Sequence, residues 1–284
     1  ESRMIAKNNG EWNVSEGPYD FDQVKQDNEY WTLVVHNLEL YLPKILALKK
    51  KLEFLPSWLF DDAMCTYSNQ DSSVGAHIDN YNVFIAQLQG TRTWEVQHSP
   101  NPAYHEGLEV KLLKEFVPTQ TIELNPGDII YIPPHIAHHG ISKTDSLSLS
   151  LGYKSLEDKK LMDALALETL NLFESDDLYH PHFSEKINDH LLISNKIVND
   201  LKERLIAHIE NEDFFKNFIL KFNSTPKHTP EPCEIEYEEF QEMFKTSPLF
   251  KDDFIRFCAY KKSNDSFEVA INENIFNLKL EEYE

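Results

Sequence analysis

Residues 75–96 read GAHIDNYNVFIAQLQGTRTWEV, and no other stretch limits the fold so tightly. Alternating apolar positions over about 76–88 predict a strand, Gln89-Gly90 a turn, and residues 91–97 a second strand that carries Arg92. His77 and Asp79 lie two residues apart, a spacing that puts both side chains on one face of a strand. Residues 125–140, NPGDIIYIPPHIAHHG, answer that stretch. Asn125-Pro126-Gly127-Asp128 is a turn signal, and residues 129–133 read as a short buried strand ending at Pro133-Pro134. Together the two stretches predict a β-barrel built around a metal.

The residue types specify which metal. One imidazole and one carboxylate from a single strand need a third ligand from a neighbour. His138 is the best-placed candidate, because the turn and short strand return it to the sheet; His135 and His139 are the others. Two histidines and one carboxylate form the facial triad of non-haem Fe(II) oxygenases and leave three coordination positions open for co-substrate and O2. Arg92 follows His77 by fifteen residues and is expected on the adjacent strand. A guanidinium there can hold a carboxylate bidentately. A 2-oxoacid that chelates iron through its keto and C1 carboxylate groups would carry its distal carboxylate to it. Residues 63–69 read as a strand with Met64, Thr66 and Ser68 on one face, so Thr66 and Ser68 are further candidates for co-substrate binding. Residues 146–153, SLSLSLGY, alternate most cleanly of all, with Ser146, Ser148 and Ser150 on one side and leucines on the other. HxD alone is common on surface strands, and a hairpin arginine is commonly a surface residue. Specificity comes from the combination with GDxxxxPPxxxH. Two competing readings are a non-catalytic metal-binding cupin scaffold and a cupin enzyme that does not use 2-oxoglutarate.

Elsewhere the pattern is plainer. Residues 1–30 are polar, punctuated by Gly10, Gly17 and Pro18, and predict short strands or loops on the barrel rim. The chain opens at Glu1 as if within a domain, so an N-terminal truncation is expected. Residues 31–36 predict a strand, and Asn37 a cap for a helix over 38–51 with Pro43 in an early turn. Residues 98–109 predict a loop or short helix, with residues 116–117 and 121–124 extended. After Tyr153 the pattern turns helical, over 157–173, 185–209 and 212–222; Ile197, Leu201, Leu205 and Ile209 recur at four-residue steps. NSTPKHTPEP, residues 223–232, reads as a Pro-rich linker. Beyond it a helix near 236–245 and strands near 254–260 and 266–271 predict a small α+β module.

Composition narrows the partners. The 284 residues carry 27 basic and 48 acidic side chains, a net charge of -21, which opposes nucleic acids and anionic membranes and attracts basic proteins. No apolar run approaches the roughly 18 residues of a membrane span. Cys65, Cys233 and Cys258 are far apart and show no CxxC spacing, which fits a reducing cytoplasm and no disulfide framework.

These motifs resemble the JmjC-type ribosomal oxygenases and are close to the bacterial kind that hydroxylates an arginine of ribosomal protein L-sixteen. The family's HxDxYDVFxxQ is matched by residues 77–87, its basic-Arg-basic-Trp segment by Thr91-Arg92-Thr93-Trp94, and its PGDxLYIPPxxPHEG by residues 126–140. The opening residues and the helical region are also similar, so the resemblance covers nearly the whole chain. It implies an α+β protein: a double-stranded β-helix (cupin/JmjC jelly roll, residues 1–155), a helical dimerisation domain (156–222), a linker (223–232) and a winged-helix-like module (233–284). It implies an Fe(II)- and 2-oxoglutarate-dependent dioxygenase, a cytoplasmic homodimer that hydroxylates an arginine β-carbon in a basic ribosomal protein. The alternative is another target residue, such as histidine. It selects His77, Asp79 and His138 as iron ligands and Arg92 as the co-substrate's partner. The acidic surroundings of the last module argue against nucleic-acid binding. The chain departs from the pattern at Asp71-Ser72-Ser73, Asn82, Ala137 and His139, and none of these is a ligand.

Overall fold

The computed structural model describes residues 2–20, 22, 29–52, 54–108, 110–172, 193–227, 236–246 and 255–283. The chain divides into two compact units, Glu1–Ser155 and Leu156–Glu284. Among the described residues the first unit holds the strands β1 (Ser2–Asn8), β2 (Glu11–Glu16), β3 (Tyr30–Val35), β4 (Phe60–Ser68), β5 (His77–Ile78) and β6 (Tyr81–Gln89). It continues with β7 (Arg92–Gln97), β8 (Gln120–Leu124), β9 (Ile129–Ile132), β10 (Ala137–Ser142) and β11 (Ser146–Lys154). One sheet runs β2-β1-β3-β4-β11-β6-β9, the other β5-β10-β7-β8, and every pair is antiparallel. Val83, Ile85, Ile130 and Ile132 of the large sheet pack against Trp94 and Leu124 of the small one, so the sheets face each other.

β11 explains how this barrel distributes its polarity. Its serines point between the sheets and its leucines point away, yet Ser146, Ser148, Leu149, Ser150 and Leu151 are all buried. Leu149 and Leu151 lie with Ile45, Phe60, Ala63 and Tyr153 in a second core on the outer face of the large sheet. Leu38, Leu52, Leu55 and Leu59 pack against it, from the segment that includes helix α1 (Pro43–Lys50). Covering the outer face with apolar side chains frees the inner face to be polar where a site requires it. Trp31 and Ala6 form a third small cluster that ties the β1–β2 hairpin to the sheet.

Several boundaries differ from the sequence reading, each for a local reason. Residues 76–88 are two strands, not one: β5 belongs to the small sheet and β6 to the large one, and Asp79-Asn80 carries the chain across. The crossing is held where the His135 N–H donates to the Asp79 carbonyl at 2.9 Å. β6 and β7 likewise do not pair as a hairpin, so Arg92 comes from the opposing sheet rather than an adjacent strand. Asn37 has φ 57 and makes no capping bond; only a 3-10 turn, Leu38–Leu40, follows it. The helix proper begins at Pro43, whose ring suits a first-turn position where no N–H is needed. β9 is half-buried, with Ile129 and Tyr131 exposed, because it is an edge strand. Residues 116–117 lie outside any strand. Asn9-Gly10, both at positive φ, close a two-residue hairpin that the reading of a rim loop left undefined.

In the second unit, helices α2 (Asp158–Leu170), α3 (Asn195–Ile209), α4 (Glu212–Ser224) and α5 (Tyr237–Thr246) precede β12 (Phe257–Lys261), β13 (Ser266–Ile271) and β14 (Asn274–Lys279). A short helix, α6 (Leu280–Tyr283), ends it. Ser194 and Asn211 cap α3 and α4 by accepting from the N–H groups of Ile197 and Phe214. α4 packs against all three strands and against α2 and α3. Lys216 on α4 reaches Glu268 on β13 at 2.6 Å, and the Cys258 thiol donates to the Leu220 carbonyl at 3.3 Å. α4 also runs through Asn223 and Ser224, two positions read as linker, because both are buried there. β14 has no counterpart in the sequence reading. Residues 173, 185–192, 228–232 and 254, within predicted elements or the linker, lie outside the described residues.

The outer core makes a testable contribution. Leu151→Ala deletes a buried side chain where Tyr153 and Phe60 limit collapse, and is expected to cost about 2–5 kcal/mol. Urea denaturation monitored by tryptophan fluorescence reads this as a lower midpoint at unchanged slope.

Candidate functional site

His77 and His138 meet because β5 and β10 pair with these two residues in direct register. Their rings lie 4.2 Å apart between centroids. Asp79, two residues after His77, brings Oδ2 to 3.7 Å from His77 Nε2 and 3.6 Å from His138 Nε2. One donor atom from each residue falls within 4.8 Å of the others.

Hydrogen bonding orients the two rings alike. His77 Nδ1 donates to the Gly75 carbonyl at 2.9 Å and His138 Nδ1 to the Ile136 carbonyl at 3.1 Å. With the proton on Nδ1, each Nε2 presents a lone pair toward Asp79, and such backbone anchoring is how metal-binding histidines are commonly aimed. Burial, with His77 alongside, pushes the His138 pKa down to about 4, so that ring is neutral at physiological pH. Its approach to Asp79 is therefore no ion pair. Two imidazole nitrogens and one carboxylate that converge this closely suit a first-row divalent ion.

A second charged group lies inside the same barrel. Arg92 is 2% exposed. Its Nη1 donates to Ser148 Oγ at 3.0 Å and its Nη2 to Ser68 Oγ at 2.8 Å. Burial lowers its pKa to about 10, which leaves it cationic at neutral pH. Among the described residues it makes no ion pair, and its buried Nε has no hydrogen-bond partner. A buried cation served only by hydroxyls is an anion site in all but occupant, since burying a charge is costly without a counter-charge. The Trp94 ring adjoins both groups, 5.5 Å from Arg92 Cζ and 5.9 Å from the His138 ring. Gly140 makes room for it: a Cβ there would come within 2.8 Å of the indole.

The hydroxyls around Arg92 form rows across the large sheet. Thr32, Ser68 and Ser146 share one, and Thr66, Ser148 and Gln87 the next. Ser68 and Thr66 both face the interior, but only Ser68 bonds Arg92. Met64, placed on the same face, is only partly buried. Three participants were missed or underweighted in the sequence: Ser148, Gln87 and Gly140. The inward serines of β11 were the available signal for the first. His139 points the other way, pairing with Glu95 at 3.2 Å beside Phe116, and His135 is exposed.

Comparison with known proteins places this geometry. Residues 47–161 match the JmjC domain family. The chain is 29% identical over 246 residues to the ribosomal protein uL16 3-hydroxylase of Escherichia coli, covering 82% of this chain and 64% of that one. It is 30% identical over 224 residues to the "Probable ribosomal oxygenase" of Haemophilus influenzae, covering 72% and 52%. It thus spans between about half and two thirds of these relatives' lengths. A solved structure of YcfD, a ribosomal oxygenase from Escherichia coli in complex with cobalt and 2-oxoglutarate, superposes with a TM-score of 0.79 at 25% identity, over 97% of this chain and 73% of that one. No helix among the described residues is long and apolar enough to cross a membrane.

The convergence of three donors predicts a metal-dependent rise in thermal stability. Mn(II) at about a hundredfold excess over its Kd should add about 2.7 kcal/mol and raise the melting temperature. Asp79→Ala should lose that rise while keeping the metal-free melting temperature near wild type, as differential scanning fluorimetry would show.

Proposed function

We propose that this chain, which carries a JmjC domain over residues 47–161, is an Fe(II)- and 2-oxoglutarate-dependent protein hydroxylase. Its target in this reading is an arginine β-carbon of a large-subunit ribosomal protein. The observation that carries it is the buried Arg92 guanidinium, without a carboxylate partner, inside the barrel that also gathers His77, Asp79 and His138. The donor set and the uncompensated cation both fit the implied groups: a divalent metal and a dicarboxylate with a free distal end.

The residues take distinct roles. His77, Asp79 and His138 hold the metal on one side, leaving positions open toward the interior. Arg92 binds the distal carboxylate of 2-oxoglutarate, with Ser68 and Ser148 orienting its two terminal nitrogens and Thr66 lining the adjoining wall. Neutral His138 keeps its Nε2 lone pair available without competition from protons near pH 7. The apolar wall of Val83, Ile85, Ile130 and Ile132 limits water around the reacting groups. Bound Fe(II) supplies the oxygen activation that couples decarboxylation of the co-substrate to succinate with hydroxylation of a C–H bond. Asp79 is the most open of the three ligands, its side chain 36% exposed, so the target side chain enters from that side.

Charge and relatives support the partner. A net charge of -21 favours a basic substrate, and both curated relatives are named for ribosomal oxygenation. We read residues 156–222 as a dimerisation domain. Val198, Leu201, Leu205 and Ile209 stand exposed along α3 at helical spacing, and a second copy would bury them. We read residues 233–284 as a winged-helix-like module that does not bind nucleic acid, and the site of action as the cytoplasm.

The direct test is mass spectrometry of ribosomal proteins after incubation with the protein, Fe(II) and 2-oxoglutarate. One added oxygen atom on an arginine is expected, with succinate formed in step, and Asp79→Ala should give neither. Arg92→Ala should raise the KM for 2-oxoglutarate by at least about 30-fold, the loss expected when a buried charge pair is broken. Succinate release by Asp79→Ala at the wild-type rate would overturn the metal assignment. Light scattering after size exclusion tests the dimer.

A further inference from the structure

We infer that Gln87 is a positioning residue for the co-substrate arginine, an inference that rests on the 2-oxoglutarate reading above. Gln87 is fully buried on the inner face of β6, beside Ser148 in the sheet register. Its Nε2 donates to the carbonyls of Gln89 at 2.9 Å and Gly90 at 3.3 Å. Two carbonyl partners require the NH2 end of the amide there, which settles the orientation of the group. Gln89 and Gly90 are the turn by which the chain leaves the large sheet and enters the small one at Arg92. The amide of Gln87 therefore grips, from inside the barrel, the backbone that carries the guanidinium.

The same turn is held from outside by different means. Gly90 has φ 68, and a Cβ on it would come within 2.1 Å of the Asp145 carbonyl. The Thr91 N–H donates to Thr144 Oγ1 at 3.1 Å, the Lys143 N–H to the Thr91 carbonyl at 2.8 Å, and Thr91 Oγ1 to Asn125 Oδ1 at 3.1 Å. Backbone bonds at Gln87 fix its own strand: its N–H donates to Asp128 and its carbonyl accepts from Gly127, both at 2.9 Å. Among the described residues, the side-chain amide is the link from this fixed strand to the turn from within.

Its other end is left unpartnered. Gln87 Oε1 is buried and has no hydrogen-bond partner, as is Arg92 Nε. An unsatisfied buried acceptor is costly, and its presence calls for an explanation at a functional centre. Ser148 sits between the two groups: it neighbours Gln87 across the strands and accepts from Arg92 Nη1. The acceptor thus belongs to the residue paired with the serine that Arg92 engages. A neutral acceptor is tolerated there; a negative charge would pair with Arg92 and displace the ligand.

Two substitutions separate this role from simple structural support. Gln87→Met keeps the length and removes the amide. It should raise the KM for 2-oxoglutarate about tenfold, the value of one or two hydrogen bonds, with kcat and the Mn(II)-induced melting shift unchanged. Gln87→Glu should raise KM further at pH 8 and recover toward the Gln87→Met value as the pH is lowered and the carboxylate takes a proton. A packing defect would not be reversed by acid. If Gln87→Met leaves KM at the wild-type value, or if KM, kcat and Mn(II) response deteriorate together in both variants, the positioning role is wrong. The wild type serves as the separate control. No stabilisation of the Mn(II)-loaded wild type by 2-oxoglutarate would overturn the underlying reading, whatever the variants do.

Discussion

A guanidinium inside a β-barrel is the constraint to which the rest of the first unit conforms. Arg92 cannot lose its proton at neutral pH, and no carboxylate among the described residues meets it. Its environment must therefore offer acceptors without offering a permanent charge. Ser68 and Ser148 do so, and Thr32, next to Ser68, takes part in the same network at 2.8 Å. A polar interior then removes the hydrophobic driving force that would ordinarily hold two sheets together. The fold recovers it in two places: the apolar half between β6, β9, β7 and β8, and the outer core under residues 38–59.

That arrangement explains which features were legible in the sequence. His77, Asp79, His138 and Arg92 stood out because each is a chemically distinctive side chain at a characteristic spacing. Strands β7 and β11 were legible from their residue pattern, and α3 from the four-residue recurrence of Ile197, Leu201, Leu205 and Ile209, whereas β10 was not read as a strand. Less legible was anything that depends on which sheet a strand joins. Alternation says that residues 76–88 are extended, but not that the chain changes sheets at Asp79-Asn80. The same limitation put Arg92 on an adjacent strand rather than across the barrel. Asn37 had the chemistry of a helix cap, yet its left-handed backbone starts a single turn, since the strand before it fixes the entry direction. Gln87 and Gly140 had no signal of their own. A glutamine and a glycine in strands are ordinary until their neighbours are known.

The two sheets contribute unequally to the site. The small sheet supplies His77 and His138, on β5 and β10, and Arg92 of β7, with Asp79 just past β5, whereas the large sheet supplies neutral hydroxyls and an amide. The charged chemistry thus sits on and beside three strands whose registers are fixed to one another: His138 with His77, Gly140 with Trp94, Ser142 with Arg92. The distance between the histidine pair and Arg92 is set within one sheet by backbone pairing, which is stiffer than packing between sheets. The large sheet can adjust its side chains without altering that spacing.

The tight turn at Gly90 has an evolutionary corollary. Because residues 89–91 and 143–145 interlock through backbone bonds and an approach that excludes a side chain, neither connection can lengthen without disturbing the other. That end of the barrel is closed to insertion. Near Asp79 the close approach at Gly75 is to the Leu112 side chain, at 3.0 Å, rather than to backbone, so that connection has more freedom to change. Diversification among descendants of this architecture is thereby channelled to one rim, while the end that holds Arg92 is inherited intact.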